Sequence, residues 1–379
     1  MTQVVLVTHY YSPHRGGVEA VAQKLAEALC RGHGFNITWF ASATDQVPDN
    51  LPRGVGCIPV AASNFMERRF GLPFPIWTPL CIIPMWHEIQ KANLVHLHDY
   101  LYMGNILAFV IARCRGKPVV VTQHIGEIPY DSGLLRWTLG LLNRTLGRWV
   151  LTRAQRTIFI SPVVRDYFST FCQFRHEPQH IPNGVDNNIF TPLSNEIRIA
   201  LRQQHGYAST TTIFLFVGRF VEKKGLPMLR HLAVLFPQVQ FLFAGEGPLD
   251  PDTWQLNNTK VFRGRSDREL AELYRLADLL LLPSKGEGFP LVIQEALACG
   301  TPVLTSDETA LGNPALVDMM MTEPVETTQA EALWQRRIEK LLNEPQALQR
   351  QRDHLSTGKL VQPTWSQIAA DYAAVMKIP

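Results

Sequence analysis

Two carboxylates eight positions apart, Glu287 and Glu295, stand in the run Leu282-Pro283-Ser284-Lys285-Gly286-Glu287-Gly288-Phe289-Pro290-Leu291-Val292-Ile293-Gln294-Glu295. An apolar strand there gives way to a glycine-rich turn and then a helix. The backbone N–H groups of Gly288, Phe289 and Leu291 are expected to face a ligand, with Pro290 in the first helical turn and Gly300 and Pro302 ending the helix. Glu287 precedes the helix and Glu295 stands one turn beyond Leu291, so each can accept hydroxyl donors from a different part of one ligand. Glutamates on an ordinary solvated helix share this spacing.

A second set is cationic. Val217-Gly218-Arg219 ends an apolar run and Lys223-Lys224-Gly225 follows at a helix start. Arg219 and Lys224 can therefore converge at a strand end. Two cations beside a helix N-terminus suit a diphosphate, which gains negative charge as it leaves a sugar; solvated surface charge is the ordinary fate of a Lys-Lys pair. Gly16 and Gly17 close the loop that begins at His9, just ahead of a helix opening at Val18. Paired glycines admit close backbone approach to a phosphate, or simply make a turn. The loop lacks the Gly-x-Gly-x-x-Gly fingerprint, which argues against a nicotinamide dinucleotide. His124 ends Val121-Thr122-Gln123-His124, just past a strand, where a neutral imidazole can donate to a hydroxyl or a developing charge.

The elements that must position these groups show one rhythm. Apolar runs at Val4–Thr8, Leu94–Leu97, Val119–Thr122 and Thr157–Ile160 alternate with helical periodicity at Val18–Arg31 and Tyr102–Arg113. A second series has strands at Ile213–Val217, Gln240–Ala244, Leu279–Leu282 and Val303–Thr305, with helices at Gly225–Phe236, Asp267–Leu276 and Leu291–Cys299. Alternation of this kind means parallel strands joined by crossover helices, an α/β fold in two Rossmann-like halves. The turn-forming Pro182-Asn183-Gly184-Val185-Asp186 lies between the series, so the expected domains are 1–185 and 186–362, with a helix in 363–379 packing back on the first.

Length and composition agree with two globular domains: 379 residues, 46% hydrophobic and 18% charged. Lys and Arg total 36 against 33 Asp and Glu, too small an excess to argue for nucleic acid as a partner. Six scattered cysteines with no Cys-x-x-Cys pair fit reduced thiols in a cytosolic setting, and burial is expected for all six. The start, Met1-Thr2-Gln3, carries no secretory signal pattern, and no uncharged run reaches the roughly 18 residues of a spanning helix. Two stretches suit the side of a membrane: Phe65–Phe70 with the aromatic run to Trp86, and Leu134–Arg153, where Arg136, Arg144 and Arg148 interleave with Trp137 and Trp149. A core helix with arginines on its wet side reads the same way.

Taken together, the Glu-x7-Glu element, the Gly-Arg and Lys-Gly pairs, the Pro-Asn-Gly-Val-Asp linker, Val95-His96-Leu97-His98-Asp99, Ala244-Gly245-Glu246-Gly247-Pro248 and the early glycine pair resemble a family 4 glycosyltransferase of the retaining GT-B type over nearly the whole chain. The resemblance implies two Rossmann-like domains facing across a cleft, with the acceptor on the N-terminal side and a nucleotide-sugar donor on the C-terminal side. It implies that Arg219 and Lys224 hold the donor diphosphate, that Glu295 bonds the ribose, and that Glu287 with the amides around Gly288–Leu291 contacts the transferred sugar. By the same resemblance Arg265 borders the nucleobase, His124 lies near the reacting sugar, and Asp99 belongs to the acceptor side. Phe289-Pro290 stands where Phe-Gly is more common, and the stretch from Asp307 to Pro314 lacks a Gly-Gly-x-x-Glu element found in many members.

The expected reaction is sugar transfer with retention to a glycan, lipid-linked or small-molecule acceptor, in polysaccharide or glycoconjugate synthesis. UDP is the default nucleotide on family frequency. No cofactor and no metal is expected, because the first domain has no Asp-x-Asp motif and Arg219 with Lys224 can neutralise the leaving diphosphate. The alternative is a catalytically inactive sugar-nucleotide binding protein; a phosphorylase or epimerase shares the fold. Intact charges at Arg219, Lys224, Glu287 and Glu295 speak against decay.

Overall fold

The computed structural model describes residues 1–377 apart from Arg15, 71–72, 130–131 and 358–361. Arg15 of the glycine loop and the side chains of Arg68 and Phe70 in the first candidate membrane stretch therefore lie outside the described residues. The chain divides into two compact units, Met1–Gly184 with Trp365–Pro379, and Val185–Thr364.

Unit 1 is built on the strands β1 (Thr2–Val7), β2 (Phe35–Ser42), β3 (Val55–Val60), the short β4 (Ala62–Ser63) and β5 (Ile76–Trp77), then β6 (Leu94–His98), β7 (Val119–Gln123), β8 (Arg156–Phe159) and β9 (Gln179–His180). Seven of them form a parallel sheet in the order β3-β2-β1-β6-β7-β8-β9, while β4 and β5 pair antiparallel. Its helices are α1 (Gly17–Gly32), α2 (Phe65–Phe70), α3 (Ile82–Lys91), α4 (Met103–Cys114), α5 (Gly133–Leu142), α6 (Arg148–Leu151) and α7 (Pro162–Ser169). Alternate strand residues feed two cores, as the two-residue period of a doubly covered sheet requires. Val5, Val7, Val119 and Val121 pack under α3, α4, α6 and α7, whereas Val4, Leu6 and Val120 pack under α1.

Unit 2 repeats the plan with β10 (Ile213–Val217), β11 (Gln240–Ala244), β12 (Thr259–Phe262), β13 (Leu279–Leu282), β14 (Val303–Ser306) and β15 (Met321–Glu323), ordered β12-β11-β10-β13-β14-β15, all parallel. Its helices are α8 (Asn195–Gln204), α9 (Leu226–Leu235), α10 (Asp267–Leu276), α11 (Leu291–Ala298), α12 (Asp307–Ala310), α13 (Ala330–Asn343) and α14 (Pro345–Ser356). The last helix, α15 (Trp365–Met376), returns to unit 1, where Ile368, Ala369, Tyr372 and Met376 join the core under α1.

The α/β class and the parallel sheets stand as the sequence indicates; several details do not. Strands β3, β12 and β15 sit at or near sheet edges, and β3 carries Gly56 and Pro59, residues that strands disfavour, so its sequence reads as a loop. Pro290 is the N-cap of α11 rather than its first turn, because its ψ of 134° is extended and the helix begins at Leu291. Likewise Lys223 and Lys224 lie in a short 3₁₀ turn, Glu222–Lys224, and α9 starts two residues after Lys224. The six cysteines are free thiols, but Cys114 at the end of α4 is exposed and Cys30 and Cys57 are only half-buried.

Candidate functional site

In unit 2 the turn after β10 and the turn after β13 are stitched together, with the Lys285 N–H donating to the Lys223 carbonyl at 2.9 Å. Gly225 allows it. Its φ of 80° is left-handed, and a Cβ there would collide with the Pro283 carbonyl oxygen. The Lys224 ammonium consequently reaches Glu287 Oε1 at 2.9 Å, with Lys223 at 3.9 Å and both partners largely buried. Burial lowers the Lys224 pKa against the pull of Glu287, and the charges of Lys223 and Arg219 lower it further, so Arg219 belongs to the same electrostatic group. Burial pushes the Glu287 carboxyl up, but Lys224 and Lys223 outweigh it and hold the group below the usual carboxylate range. Cations are thereby gathered around one carboxylate.

Glu295 lies on α11, and its Oε2 accepts the Tyr274 hydroxyl at 2.8 Å. Tyr274 sits on α10 two turns after the Ser266 cap; nothing in its local sequence marks it. The loop holding Gly288 is braced from below: Ser306 Oγ donates to the Ser284 carbonyl at 2.7 Å, and Gly312 packs directly on the Gly288 carbonyl. Gly312 thus supports the loop from within the stretch that departs from the common family pattern. Phe289 is buried in the core. Arg265 bonds Glu269 at 2.6 Å and lies over Phe262. An Asp-Pro-Asp sequence does occur in this unit, at Asp250–Asp252, but Arg263 pairs with both carboxylates at 2.6 and 2.8 Å.

Unit 1 gathers a different group at the ends of β1, β6 and β7. His98 Nδ1 and His124 Nε2 share a hydrogen bond at 2.9 Å, and the His124 N–H donates to Asp99 Oδ1 at 2.7 Å. Asp99 holds a left-handed φ of 62°, fixed by Asn105, which donates to the carbonyls of both His98 and Asp99. Burial drives the His124 and His96 pKa values down to about 3 and pushes Asp99 up to about 6. Beside them His9 pairs with Glu19 at 2.9 Å and stacks on Tyr102. Gly16 leaves room for that carboxylate, since a Cβ would collide with Glu19 Oε2, whereas Gly17 faces open space. The helix N-terminus that the glycine pair opens therefore already holds a buried negative charge. His14 bridges Asp45 at 2.8 Å and Glu67 at 3.2 Å, and Tyr10 also donates to Glu67. None of His9, His14, Glu19, Asp45 or Glu67 is marked by the spacing arguments; only the His-x-His-Asp string of β6 hinted at the cluster.

The group 1 glycosyl transferase model matches residues 197–356, and the Glycosyltransferase Family 4 model matches residues 15–188. A D-inositol 3-phosphate glycosyltransferase of Mycobacteroides abscessus is 34% identical over 322 residues, 77% of this chain and 69% of the relative. The chain belongs to the group 1, family 4 glycosyltransferases. A phosphatidyl-myo-inositol mannosyltransferase of Mycobacterium tuberculosis is 27% identical over 77% of this glycosyltransferase and 74% of its own length. Anabaena Alr3699/HepE, solved in complex with UDP-glucose, superposes with a TM-score of 0.77 at 16% identity, covering 99% of each chain, which shows the shared GT-B fold. No helix among the described residues is long and apolar enough to cross a membrane.

Proposed function

We propose that this glycosyltransferase moves a sugar from a UDP-sugar to a lipid-linked or glycan acceptor, with retention and without a divalent ion, on the cytoplasmic side of a membrane. The carrying observation is the Lys224–Glu287 pair with Lys223 and Arg219 beside it. A donor diphosphate displaces the carboxylate from the lysine, and Glu287, freed toward the sugar, accepts its hydroxyls. Glu295, oriented by Tyr274, takes the ribose hydroxyls. The cations stabilise the charge that develops on the leaving diphosphate. Arg263 neutralises the one Asp-x-Asp sequence of unit 2, which favours cationic over metal stabilisation.

In unit 1, His124 is held neutral by burial and Asp99 fixes its backbone, so its ring suits hydrogen bonding to a sugar rather than carrying a charge. HepE binds UDP-glucose and the mycobacterial relative is named for a phosphatidylinositol acceptor, which favour a UDP-sugar and a lipid-borne acceptor here. Free thiols fit a reducing compartment.

Calorimetric titration tests the reading. Lys224→Ala should weaken UDP binding on the order of 100-fold, the scale of a charge-assisted diphosphate contact, while leaving uridine binding within about twofold. Equal losses for UDP and uridine would remove the diphosphate role.

A further inference from the structure

Helix α5 has the sequence Gly-Leu-Leu-Arg-Trp-Thr-Leu-Gly-Leu-Leu, and none of its residues is buried. An isolated helix this apolar normally lies inside a protein or against another apolar phase. Leu134, Trp137 and Leu141, at i, i+3 and i+7, make one stripe, with Leu134 72% and Trp137 64% exposed. Helix α5 runs on through the turn 143–147 into α6, whose Val150 and Leu151 share the core of α3 and α4, and at the start of α3 Leu80 and Ile83 are 81% and 70% exposed. On the opposite side of the unit 1 sheet α1 and α15 expose no large apolar side chain to this degree. Phe65 of α2 and Ile76 of β5 are also exposed, but the larger share of the exposed apolar side chains of unit 1 belongs to α3, α4, α5 and α6.

In α3, α4, α5 and α6 the one acidic residue is Glu88, which pairs with Lys91 at 2.8 Å. From Ser132 to Arg165 the sequence holds six arginines and no acidic residue. Arg144, Arg148 and Arg153 are exposed around α6, and Arg153 lies over the ring of Trp149 at 5.9 Å. Trp149 itself packs edge-on against Phe109 of α4, and Arg115 lies over Trp86 of α3 at 5.1 Å, so tryptophan and arginine alternate across adjoining helices. Tryptophan with arginine, above exposed leucine, is the side-chain chemistry of a lipid headgroup boundary.

We propose that the α3–α4–α5–α6 face of unit 1 docks on an anionic phospholipid bilayer, with the Leu134–Trp137–Leu141 stripe entering the headgroup boundary and Arg144, Arg148 and Arg153 pairing with lipid phosphates. This docking stands independently of the donor reading, because it uses no residue of either polar group. Only eight residues lie between His124 and the first residue of α5, so a lipid-borne acceptor would arrive within a short span of chain from the histidine cluster.

Co-sedimentation of the full chain with vesicles tests it. Vesicles of phosphatidylcholine and phosphatidylglycerol in equal parts should bring the protein down, and phosphatidylcholine vesicles should not. The double substitution Leu134→Glu with Trp137→Glu should weaken binding by at least about tenfold. Each of Arg144→Gln, Arg148→Gln and Arg153→Gln should cost roughly fivefold, and added salt should weaken the wild type in the same direction. Ile197→Glu, an exposed apolar position of unit 2, should change nothing. UDP binding measured on each variant reports whether the fold is intact. Failure of the wild type to bind anionic vesicles at low salt would overturn the proposal. So would binding indifferent to the α5 substitutions, or a concentration-dependent dimer that those substitutions abolish.

Discussion

In Val185–Thr364 charges meet partners of opposite sign, Lys224 with Glu287 and Arg263 with Asp250 and Asp252. In Met1–Gly184 His96, His98 and His124 stay neutral, because burial removes their solvent and other histidines stand beside them. Charged groups are suited to an anionic ligand that arrives and leaves, since a phosphate can replace the carboxylate. A neutral, crowded imidazole cluster is suited to hydrogen-bonding uncharged hydroxyls. The contrast lies in solvation, not in fold, for both groups sit beyond the carboxyl ends of parallel strands.

The glycines break the comparison most sharply. Gly225→Ala puts a Cβ into the Pro283 carbonyl at a left-handed φ and should destabilise unit 2 by about 3 kcal/mol. Gly17→Ala meets open space and should change stability by less than about 0.5 kcal/mol. Chemical denaturation of the two variants checks both values; similar effects would show that the two glycine turns are under equal constraint.

Acidification separates the units next. A histidine whose folded pKa is depressed contributes stability above its ordinary value of about 6.5 that is lost as pH falls toward the folded value. His96 and His124, pushed down to about 3, should each cost on the order of 2 kcal/mol between pH 7 and pH 5. Asp99, raised to about 6, runs the other way: its burial penalty eases as pH falls through that value, returning about 1 kcal/mol. Glu287, held below the usual range, keeps the unit 2 pair intact over this interval. Hydrogen exchange, corrected for intrinsic rates, should therefore show protection of Val119–Gln123 falling on the order of 100-fold more than that of Leu279–Leu282. Parallel losses in the two strands would contradict neutral burial of the histidines.

The smallest effect concerns a positioning contact. Tyr274→Phe removes one hydroxyl donor to Glu295 and should cost about 1 kcal/mol of stability with a few-fold rise in donor KM at unchanged kcat. A fall in kcat instead would place Tyr274 in the chemical step.

How much of this was legible varies by unit for a physical reason. Where backbone must approach backbone, as at Gly225 beside Pro283, only glycine fits, and the motif appears in the sequence; Gly312 beside Gly288 is under the same constraint but stands in no motif. Where a site is made by side chains from distant strands, no local spacing records it. His9, His98 and His124 lie on three strand ends and read singly as core histidines, and Tyr274 reads as one more apolar position of α10.

The apolar runs and their alternation with helical periods were enough to determine a parallel α/β chain, because period and strand burial are local properties. The Glu-x7-Glu and Lys-Gly elements likewise determined where charge gathers in unit 2. Tertiary structure alone decided that Lys224 pairs with Glu287, that the strand-end histidines are buried together, and that α5 lies bare. Each of these depends on which surfaces the packed core covers, and a one-dimensional pattern cannot distinguish a covered apolar stripe from an open one.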